Sequence, residues 1–244
     1  MENLKGGNVL QGAFRISPEA SSFAMTDTLR YTIGTGPQAL IVRHAERFPL
    51  PSISESLMIG LTEKGKLDAF ELGRAIEGIG QIRLFHSPAV RCRETAEAIG
   101  RGFSDRGGTV QGIQETWDLC APYLKDDRVL KEAESQGHGF MRSWFIGQFD
   151  PEWIRPTSEA ADMVLAHLLQ RMTEGDEGDR LDVHVSHDWE IVLLREELLG
   201  IRYEDAGWIE YLGGIHFSRH EGGFLARAGD HGKTFAFSSG CRVR

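Results

Sequence analysis

Cysteine is scarce in this sequence, and the few cysteines lack the spacing of a structural or metal-binding framework. The 244 residues include only Cys92, Cys120 and Cys241, and no two of them form a C-x-x-C pair. A disulfide scaffold or a zinc knuckle requires close and regular cysteine spacing, so the sequence argues against both. We expect reduced thiols, and Cys92 is a candidate for the core.

Long apolar runs are also missing. No stretch approaches the roughly 20 apolar residues that a membrane helix needs, and the N-terminal segment lacks the apolar run of a secretory signal. The hydrophobic fraction of 41% and the charged fraction of 26% are ordinary for a globular protein, and the length suits one α/β domain. We expect a cytoplasmic protein with no membrane partner, and no sequence feature specifies an oligomeric state.

Positive charge is in deficit as well, because the formal net charge is -9. Non-specific binding to nucleic acid depends on an excess of Lys and Arg, so we expect no nucleic-acid partner. An anionic small-molecule substrate would need a local basic pocket instead. Such a pocket could be assembled from Arg43, Arg47, Arg91 and Arg93.

Short apolar runs alternate with helical patterns along the chain. Residues 1–37 show no periodicity and end in a Gly-Thr-Gly-Pro cluster, so we interpret them as an N-terminal arm before a domain at residues 38–244. Strands are predicted at residues 39–42, 82–85, 109–113 and 181–186, and helices at residues 62–77, 87–101, 157–174 and 191–199. The alternation predicts a three-layer α/β sandwich around a mostly parallel sheet, with a ligand crevice at the carboxyl ends of its strands.

Two of the predicted helices carry local signals. Thr62 is expected to cap the first helix, and Ser87 with Pro88 is expected to open the second. A stripe of small residues recurs every four positions on the first helix and is expected to face the sheet; it consists of Gly65, Ala69 and Gly73.

Two segments depart from the alternation. Residues 115–156, called the acidic insertion below, are rich in Asp and Glu and are predicted to form a short lid over the site. Near the C-terminus, residues 211–217 and 224–227 are predicted to add edge strands.

The residues that point to chemistry follow the first strand, in the run Arg43-His44-Ala45-Glu46-Arg47-Phe48-Pro49. Guanidinium groups suit phosphate because they are planar, always charged and able to bind two oxygens. A histidine between cations is held neutral, and a neutral imidazole nitrogen is a usable nucleophile. A surface ion cluster with a hydrogen-bonded histidine is the alternative interpretation.

This run resembles the R-H-G-x-R-x-P signature of the histidine phosphatase superfamily, which has a phosphoglycerate mutase-like fold, and most closely its acid-phosphatase branch. Three further segments match in the expected order. They are Leu61-Thr62 with the small-residue stripe, Ser87-Pro88 with Arg91 and Thr95-Ala96, and Ser186-His187-Asp188. Together they extend the resemblance over residues 38–199.

The resemblance implies a role for each matching residue. His44 would accept the phosphoryl group, and Asp188 would protonate the leaving group and later activate water. Phosphate oxygens would be bound by four residues, namely Arg43, Arg47, Arg91 and His187. Glu115 is a second candidate for the acid, because the mutase-like branch takes its acid from a glutamate after the third strand.

The resemblance therefore implies a phosphatase acting on a small phosphomonoester through a phosphohistidine. Neither a metal nor another cofactor is expected, because the arginines supply the positive charge. Two alternatives stay open: a phosphomutase, and a pseudophosphatase that binds a phosphorylated ligand without turnover. Ala45 motivates the second, because it replaces a signature glycine.

Other polar and aromatic residues have weaker functional interpretations. His86 could touch phosphate or lie in the core, and His138 could belong to the lid or to an ordinary loop. His216 and His220 are four residues apart but have no partnering motif for a metal site. Three tryptophans of the acidic insertion are expected to form a small core rather than a leaving-group pocket: Trp117, Trp144 and Trp153.

Overall fold

A seven-stranded sheet forms the centre of the protein in the computed structural model, which describes residues 35–50, 52, 55–175 and 178–236. In chain order the strands are β1 (Pro37–Arg43), β2 (Gln81–His86), β3 (Thr109–Glu115), β4 (Arg180–Ser186), β5 (Gly214–His220), β6 (Gly223–Ala228) and β7 (His231–Ala236). Their spatial order is β3-β2-β4-β1-β5-β6-β7. Strands β1 to β4 pair in parallel, and β5 to β7 join antiparallel.

Helices cover both faces of this sheet. In chain order they are α1 (Glu63–Ala75), α2 (Val90–Asp105), α3 (Arg128–Gln136), α4 (Gly139–Phe145), α5 (Thr157–Thr173), α6 (Asp188–Leu199) and α7 (Tyr203–Ala206), with 3-10 turns at Ser56–Met58 and Trp117–Leu119. None of the helices in the described part of the chain is long and apolar enough to cross a membrane.

The burial pattern of β1 shows how the layers form. Ala39 and Ile41 belong to a core cluster with α5, α6 and the acidic insertion, whereas Leu40 and Val42 belong to a second cluster with α1 and α2. Successive strand residues point to opposite faces, so a strand apolar at every position must be covered on both sides. The predicted three-layer α/β sandwich is therefore confirmed.

The small-residue stripe of α1 does not face the sheet, and that prediction is wrong. A Cβ atom added at Gly73 would collide with the backbone of Ile99 and Phe103 in α2, and one at Gly65 would collide with the backbone of Glu46. The stripe therefore lets α1 approach α2 and the loop after β1. Thr62 does cap α1, because its side chain accepts a hydrogen bond from the Gly65 backbone N–H.

Two other local predictions need correction. Helix α2 begins at Val90 after the N-cap Ala89, so Ser87 and Pro88 precede it. The Ser87 hydroxyl contacts His187 instead. The two predicted C-terminal strands are not edge strands, because β5 pairs directly with β1 and β6 lies between β5 and a further strand, β7.

The acidic insertion contains α3 and α4 and contributes to the core. Its buried apolar side chains join the cluster of α5 and α6; they are Leu119, Tyr123, Val129, Ala133, Phe140, Met141, Trp144 and Ile154. Of the three tryptophans, Trp144 is buried as predicted, whereas Trp117 is 62% exposed. Residues 1–34 of the predicted arm and Cys241 lie outside the described residues.

Candidate active site

His44 follows the last residue of β1 and is almost completely buried, with 3% of its surface exposed. Its backbone N–H donates to Ser186 O of β4, which ties the histidine to the neighbouring parallel strand. Its Nδ1 lies 2.8 Å from Ala45 O. A carbonyl oxygen can only accept, so Nδ1 carries the proton and Nε2 keeps a free lone pair.

The surroundings of His44 disfavour its charged form. Burial lowers the pKa of His44 well below its usual value, and His187, Arg91 and Arg43 lower it further. Both desolvation and nearby positive charge act in this direction. His44 is therefore neutral at physiological pH, and its Nε2 is a potential nucleophile.

His187 follows β4, the parallel neighbour of β1, and this pairing brings the two histidines together. Their ring centroids are 5.7 Å apart. Arg91 Nη2 lies 2.9 Å from His187 Nδ1, and because arginine is only a donor, Nδ1 is the acceptor. His187 Nε2 then carries the proton and donates to Ser87 Oγ at 2.8 Å. Burial, followed by the charge of Arg91, lowers the pKa of His187.

Three arginines surround the histidines. Arg43 donates through Nη1 to Ile209 O at 2.6 Å, and its guanidinium carbon lies 4.3 Å from the centre of the Tyr211 ring. Arg91 is 6% exposed and donates through Nη1 to Ser56 O. Arg47 is half-buried, and burial lowers its pKa despite the opposing effect of nearby Tyr211. The site therefore concentrates positive charge in a protein whose net charge is negative.

Asp188 is the first residue of α6 and is partly exposed, at 26% of its side chain. Its Oδ2 accepts from Arg43 Nη2 at 3.1 Å and from Trp208 Nε1 at 3.1 Å. Burial pushes the pKa of Asp188 upward, but Arg43, Trp208 and His187 together hold it below its usual value. The carboxyl group is therefore ionised in the unliganded protein at neutral pH.

Glu115 takes part in none of the hydrogen bonds or ion pairs of this cluster. It is the exposed last residue of β3, the edge strand, and it pairs in register with His86 of β2. Strand β3 is separated from β4 by β2, and adjacent strands are about 4.8 Å apart. The structure thus brings together His44, His187, Asp188, Arg43, Arg47 and Arg91, and it leaves Glu115 at the edge of the sheet.

Ala45, which replaces the signature glycine, is accommodated in the core. Its side chain is fully buried among the apolar residues between the sheet, α1 and α2. Its backbone N–H donates to Thr95 Oγ1 at 3.0 Å, and that hydroxyl donates to Arg91 O at 2.7 Å. The turn that carries His44 is thereby fixed to the helix that carries Arg91.

Sequence reasoning missed Trp208 and Tyr211, which form one wall of the site. Trp208 contacts Asp188, whereas the Tyr211 ring covers the Arg43 guanidinium and has its centre 5.7 Å from that of His44. These residues precede β5, and they reach the site because β5 pairs with β1. The only sequence signals were one aromatic residue before the strand predicted at residues 211–217 and one at its start, and these do not identify a site.

The remaining candidates lie elsewhere or have ordinary partners. His86 is buried with Nδ1 2.9 Å from Ser87 O, and His216 is buried with Nε2 2.8 Å from Gln38 Oε1. His220 is exposed, and His138 stacks on Trp208. No group of three or more histidine, cysteine, aspartate or glutamate side chains suited to a metal ion occurs among the described residues.

Comparisons with solved structures show the same fold at low sequence identity. "Mycobacterial hydrolase 2" has a TM-score of 0.52 and 15% identity, with 86% of this chain and 88% of that chain covered. "Mycobacterial hydrolase 1" has a TM-score of 0.51 and 18% identity, with 79% and 96% covered. Mycobacterial glucosyl-3-phosphoglycerate phosphatase in complex with inorganic phosphate has a TM-score of 0.50 and 19% identity, with 75% and 90% covered.

The sequence itself matches one family. No curated protein sequence matches the chain. The family model described as "Histidine phosphatase superfamily (branch 1)" matches residues 39–214, which include every residue of the cluster around His44. This match supports the superfamily and does not confirm the acid-phosphatase branch that the motifs resemble. The chain therefore belongs to the histidine phosphatase superfamily.

Proposed function

We propose that this protein is a phosphomonoester hydrolase in which His44 carries the phosphoryl group. The observation that supports this most directly is the state of His44: its Nδ1 is bonded to Ala45 O, so the lone pair of Nε2 is free. The guanidinium groups of Arg91 and Arg43 lie near it, and they suit the oxygens of a phosphoryl group. A neutral nitrogen beside an anion-binding cluster is the combination that phosphoryl transfer to histidine requires.

The reaction would take two steps. In the first, His44 Nε2 attacks phosphorus, the bond from phosphorus to the leaving oxygen breaks, and a general acid gives that oxygen a proton. In the second, water attacks the phosphohistidine, the bond from phosphorus to Nε2 breaks, and the water gives a proton to the same carboxylate. Arg43, Arg47 and Arg91 would stabilise the charge on the phosphoryl oxygens in both steps.

Asp188 is the general acid in this proposal, as in the acid-phosphatase pattern. It contacts Arg43 and lies next to His187 along the chain, whereas Glu115 ends an edge strand. In the protein without substrate, Arg43 lowers the pKa of Asp188 and helps to keep it ionised. A phosphate ester beside Arg43 would share that guanidinium with Asp188 Oδ2 and add negative charge, and both effects would raise the pKa of Asp188 toward the protonated form that an acid needs.

The substrate in this proposal is a small phosphomonoester, and the arginines take the place of a metal ion. The glucosyl-3-phosphoglycerate phosphatase with a similar fold binds inorganic phosphate, which is in keeping with an anion site here. The buried methyl group of Ala45 weakens the case for a pseudophosphatase, because the turn that carries His44 is hydrogen-bonded to Thr95 with this methyl group in place. A cytoplasmic location remains part of the proposal.

Turnover of 4-nitrophenyl phosphate in excess chelator tests the proposal. The wild-type protein should release phosphate and form a phosphoenzyme that survives alkali and is lost in acid, as a phosphohistidine does. His44→Ala should form no phosphoenzyme and lose at least about a thousandfold in rate, because the nucleophile is absent. It should still bind vanadate or phosphate, because the arginines remain.

Each competing function predicts a different result in the same experiment. Hydrolysis by His44→Ala within about tenfold of the wild-type rate would remove His44 from the mechanism. Transfer of the phosphoryl group to an added sugar phosphate in preference to water would indicate a mutase. Phosphate binding without any turnover by the wild-type protein would indicate a pseudophosphatase.

A further inference from the structure

The candidate acid Asp188 accepts a hydrogen bond from one of three aromatic rings that lie beside the cluster around His44. Trp208 donates its indole N–H to Asp188 Oδ2. The His138 ring lies parallel to the Trp208 ring, with 4.0 Å between centroids and 4° between planes. Tyr203 meets Trp208 edge-on at 5.3 Å, and its hydroxyl donates to His138 O at 3.1 Å. We call His138, Tyr203 and Trp208 the aromatic stack.

Ion pairs join the segments that carry the aromatic stack to each other and to α6. Arg142, in helix α4 of the acidic insertion, donates to both carboxylate oxygens of Glu196 in α6, at 2.8 and 2.9 Å. The same guanidinium donates to Glu204 in α7 at 2.7 Å and lies 5.6 Å from the centre of the Tyr203 ring. Several charges held in one network order their segments better than an isolated surface pair. The acidic insertion thus sets the position of the rings.

The contacts of Asp188 divide unequally between its two oxygens. Oδ2 accepts from two donors, Arg43 and Trp208, whereas Oδ1 accepts one bond, from the Trp189 backbone N–H. Arginine and the indole N–H can only donate, so Oδ2 must remain an acceptor in both protonation states of the carboxyl group. The proton of a protonated Asp188 therefore belongs on Oδ1.

We propose that Trp208 is a positioning residue for phosphoryl transfer. Its indole N–H holds Asp188 by Oδ2, so that Oδ1 carries the proton for the leaving group. His138 holds Trp208 in place by stacking, so the acidic insertion acts on the chemistry through the indole. This inference rests on the proposed function, with Asp188 as the acid.

The charged and titratable groups that face Asp188 come from several elements, and the substitution Trp208→Phe removes none of them. They are Arg43, Arg47, His187, Glu190 and Tyr123. An N–H donor favours the ionised form of a carboxyl group. Trp208→Phe removes that donor but keeps an aromatic ring for His138 to contact, so it should raise the pKa of Asp188.

The test measures phosphoenzyme formation in a single turnover of the full chain over about pH 4 to 8. With glycerol 2-phosphate, the rate should fall with rising pH as Asp188 loses its proton. Trp208→Phe should move this fall upward by roughly half to one pH unit. With 4-nitrophenyl phosphate, whose leaving group needs no proton, the two profiles should coincide. His138→Ala should move the glycerol 2-phosphate profile in the same direction by a smaller amount.

Trp144→Phe is the matched control. It also removes an indole hydrogen bond within the protein, in this case to Arg155 O at 2.8 Å, and should leave the pH profile unchanged. A folded Trp208→Phe variant whose profile superimposes on that of the wild type would overturn the inference. If the wild-type protein forms no phosphoenzyme, the proposed function fails. The effect of Trp208 on Asp188 is then tested by carbon-13 NMR of the Asp188 carboxyl group. A pKa of Asp188 that is unchanged in Trp208→Phe would show that the indole does not act on this carboxyl group.

Discussion

At the scale of single residues, the hydrogen bonds of the two histidines assign them different chemistry. Nδ1 of His44 is bonded to a carbonyl oxygen, which leaves Nε2 with a lone pair. Nδ1 of His187 instead accepts from Arg91, so its Nε2 carries a proton. The ring centroids of these two neutral imidazoles are 5.7 Å apart, and their Nε2 atoms differ: that of His44 keeps a lone pair that can act as a nucleophile, whereas that of His187 is a donor and donates to Ser87 Oγ.

The choice between Asp188 and Glu115 as general acid can be tested with leaving groups. A nitrophenolate leaves almost unaided, whereas an alkoxide needs a proton in the transition state. Asp188→Asn should slow phosphoenzyme formation from an alkyl phosphate by roughly a hundredfold or more, with a much smaller loss for an aryl phosphate. The measurement must be a single turnover, because the same residue also assists the attack of water.

Glu115→Gln provides the comparison for this test, because it removes the charge of the other candidate at a nearly constant side-chain shape. It should change the rates for alkyl and aryl phosphates about equally. Dependence on the leaving group that appears only in Glu115→Gln would move the acid to the edge of the sheet and refute the assignment of Asp188.

At the scale of structural elements, α1 and α2 approach each other with their backbones in close contact. A Cβ atom at Gly102 of α2 would collide with the carbonyl group of Phe70 and lie 3.1 Å from the backbone nitrogen of Arg74, both in α1. Because backbone atoms in two packed helices cannot move aside cheaply, a methyl group here forces the helices apart. This contact orders α2, which carries Arg91 into the site.

Gly102→Ala should therefore destabilise the protein, although alanine normally stabilises a helix relative to glycine. We expect a loss of about 1–3 kcal/mol in the free energy of unfolding, measured with urea. Gly139→Ala, at the first position of α4, is the control: a Cβ there meets nothing within 4 Å, so a small gain is expected. A gain in stability for Gly102→Ala would contradict the close approach of the two helices.

At the scale of the whole molecule, buried histidines link stability to pH. The pKa values of five histidines lie below the usual value, with burial as the largest cause in each; they are His44, His167, His184, His187 and His216. The unfolded chain regains the usual value of about 6.5 and binds more protons below it, so stability is lost as the pH falls. Each such group contributes at most about 1.4 kcal/mol per pH unit.

Glu190 acts in the opposite direction. Burial raises its pKa to about 7, so the folded state holds the proton that the unfolded state releases between about pH 4.5 and 7. One carboxyl group offsets only one of the five histidines. The free energy of unfolding should therefore fall by several kcal/mol between about pH 7 and 5, as measured by urea unfolding at constant ionic strength.

His184→Phe tests the origin of this slope. His184 is fully buried and stacks on Phe85 with 4.8 Å between centroids, and neither of its ring nitrogens has a hydrogen-bond partner among the described residues. A phenyl ring cannot take up a proton, so the variant should lose less stability on acidification. The slope of its free energy of unfolding against pH should be smaller by up to about 1.4 kcal/mol per pH unit. Equal slopes in the two proteins would show that His184 does not contribute.

Much of the framework was predictable from residue pattern alone. Apolar runs identified β1, β2 and β4 as buried strands, and His44 directly follows β1 as His187 directly follows β4. Strands β1 and β4 are parallel neighbours in register from Pro37 with Arg180 to Arg43 with Ser186. Because parallel strands end at one edge of a sheet, sequence position was enough to bring the two histidines together.

Only the tertiary structure decided which groups surround those histidines. The contacts of Arg43 with Ile209 and of Trp208 with Asp188 join residues 166 and 20 positions apart. The small-residue stripe likewise faces α2, although its spacing suits the sheet equally well. Periodicity reports that a side chain is buried on one face of its own element. It contains no information about which residue of another segment meets that face, because this depends on how the helices, the acidic insertion and the C-terminal strands pack around the sheet.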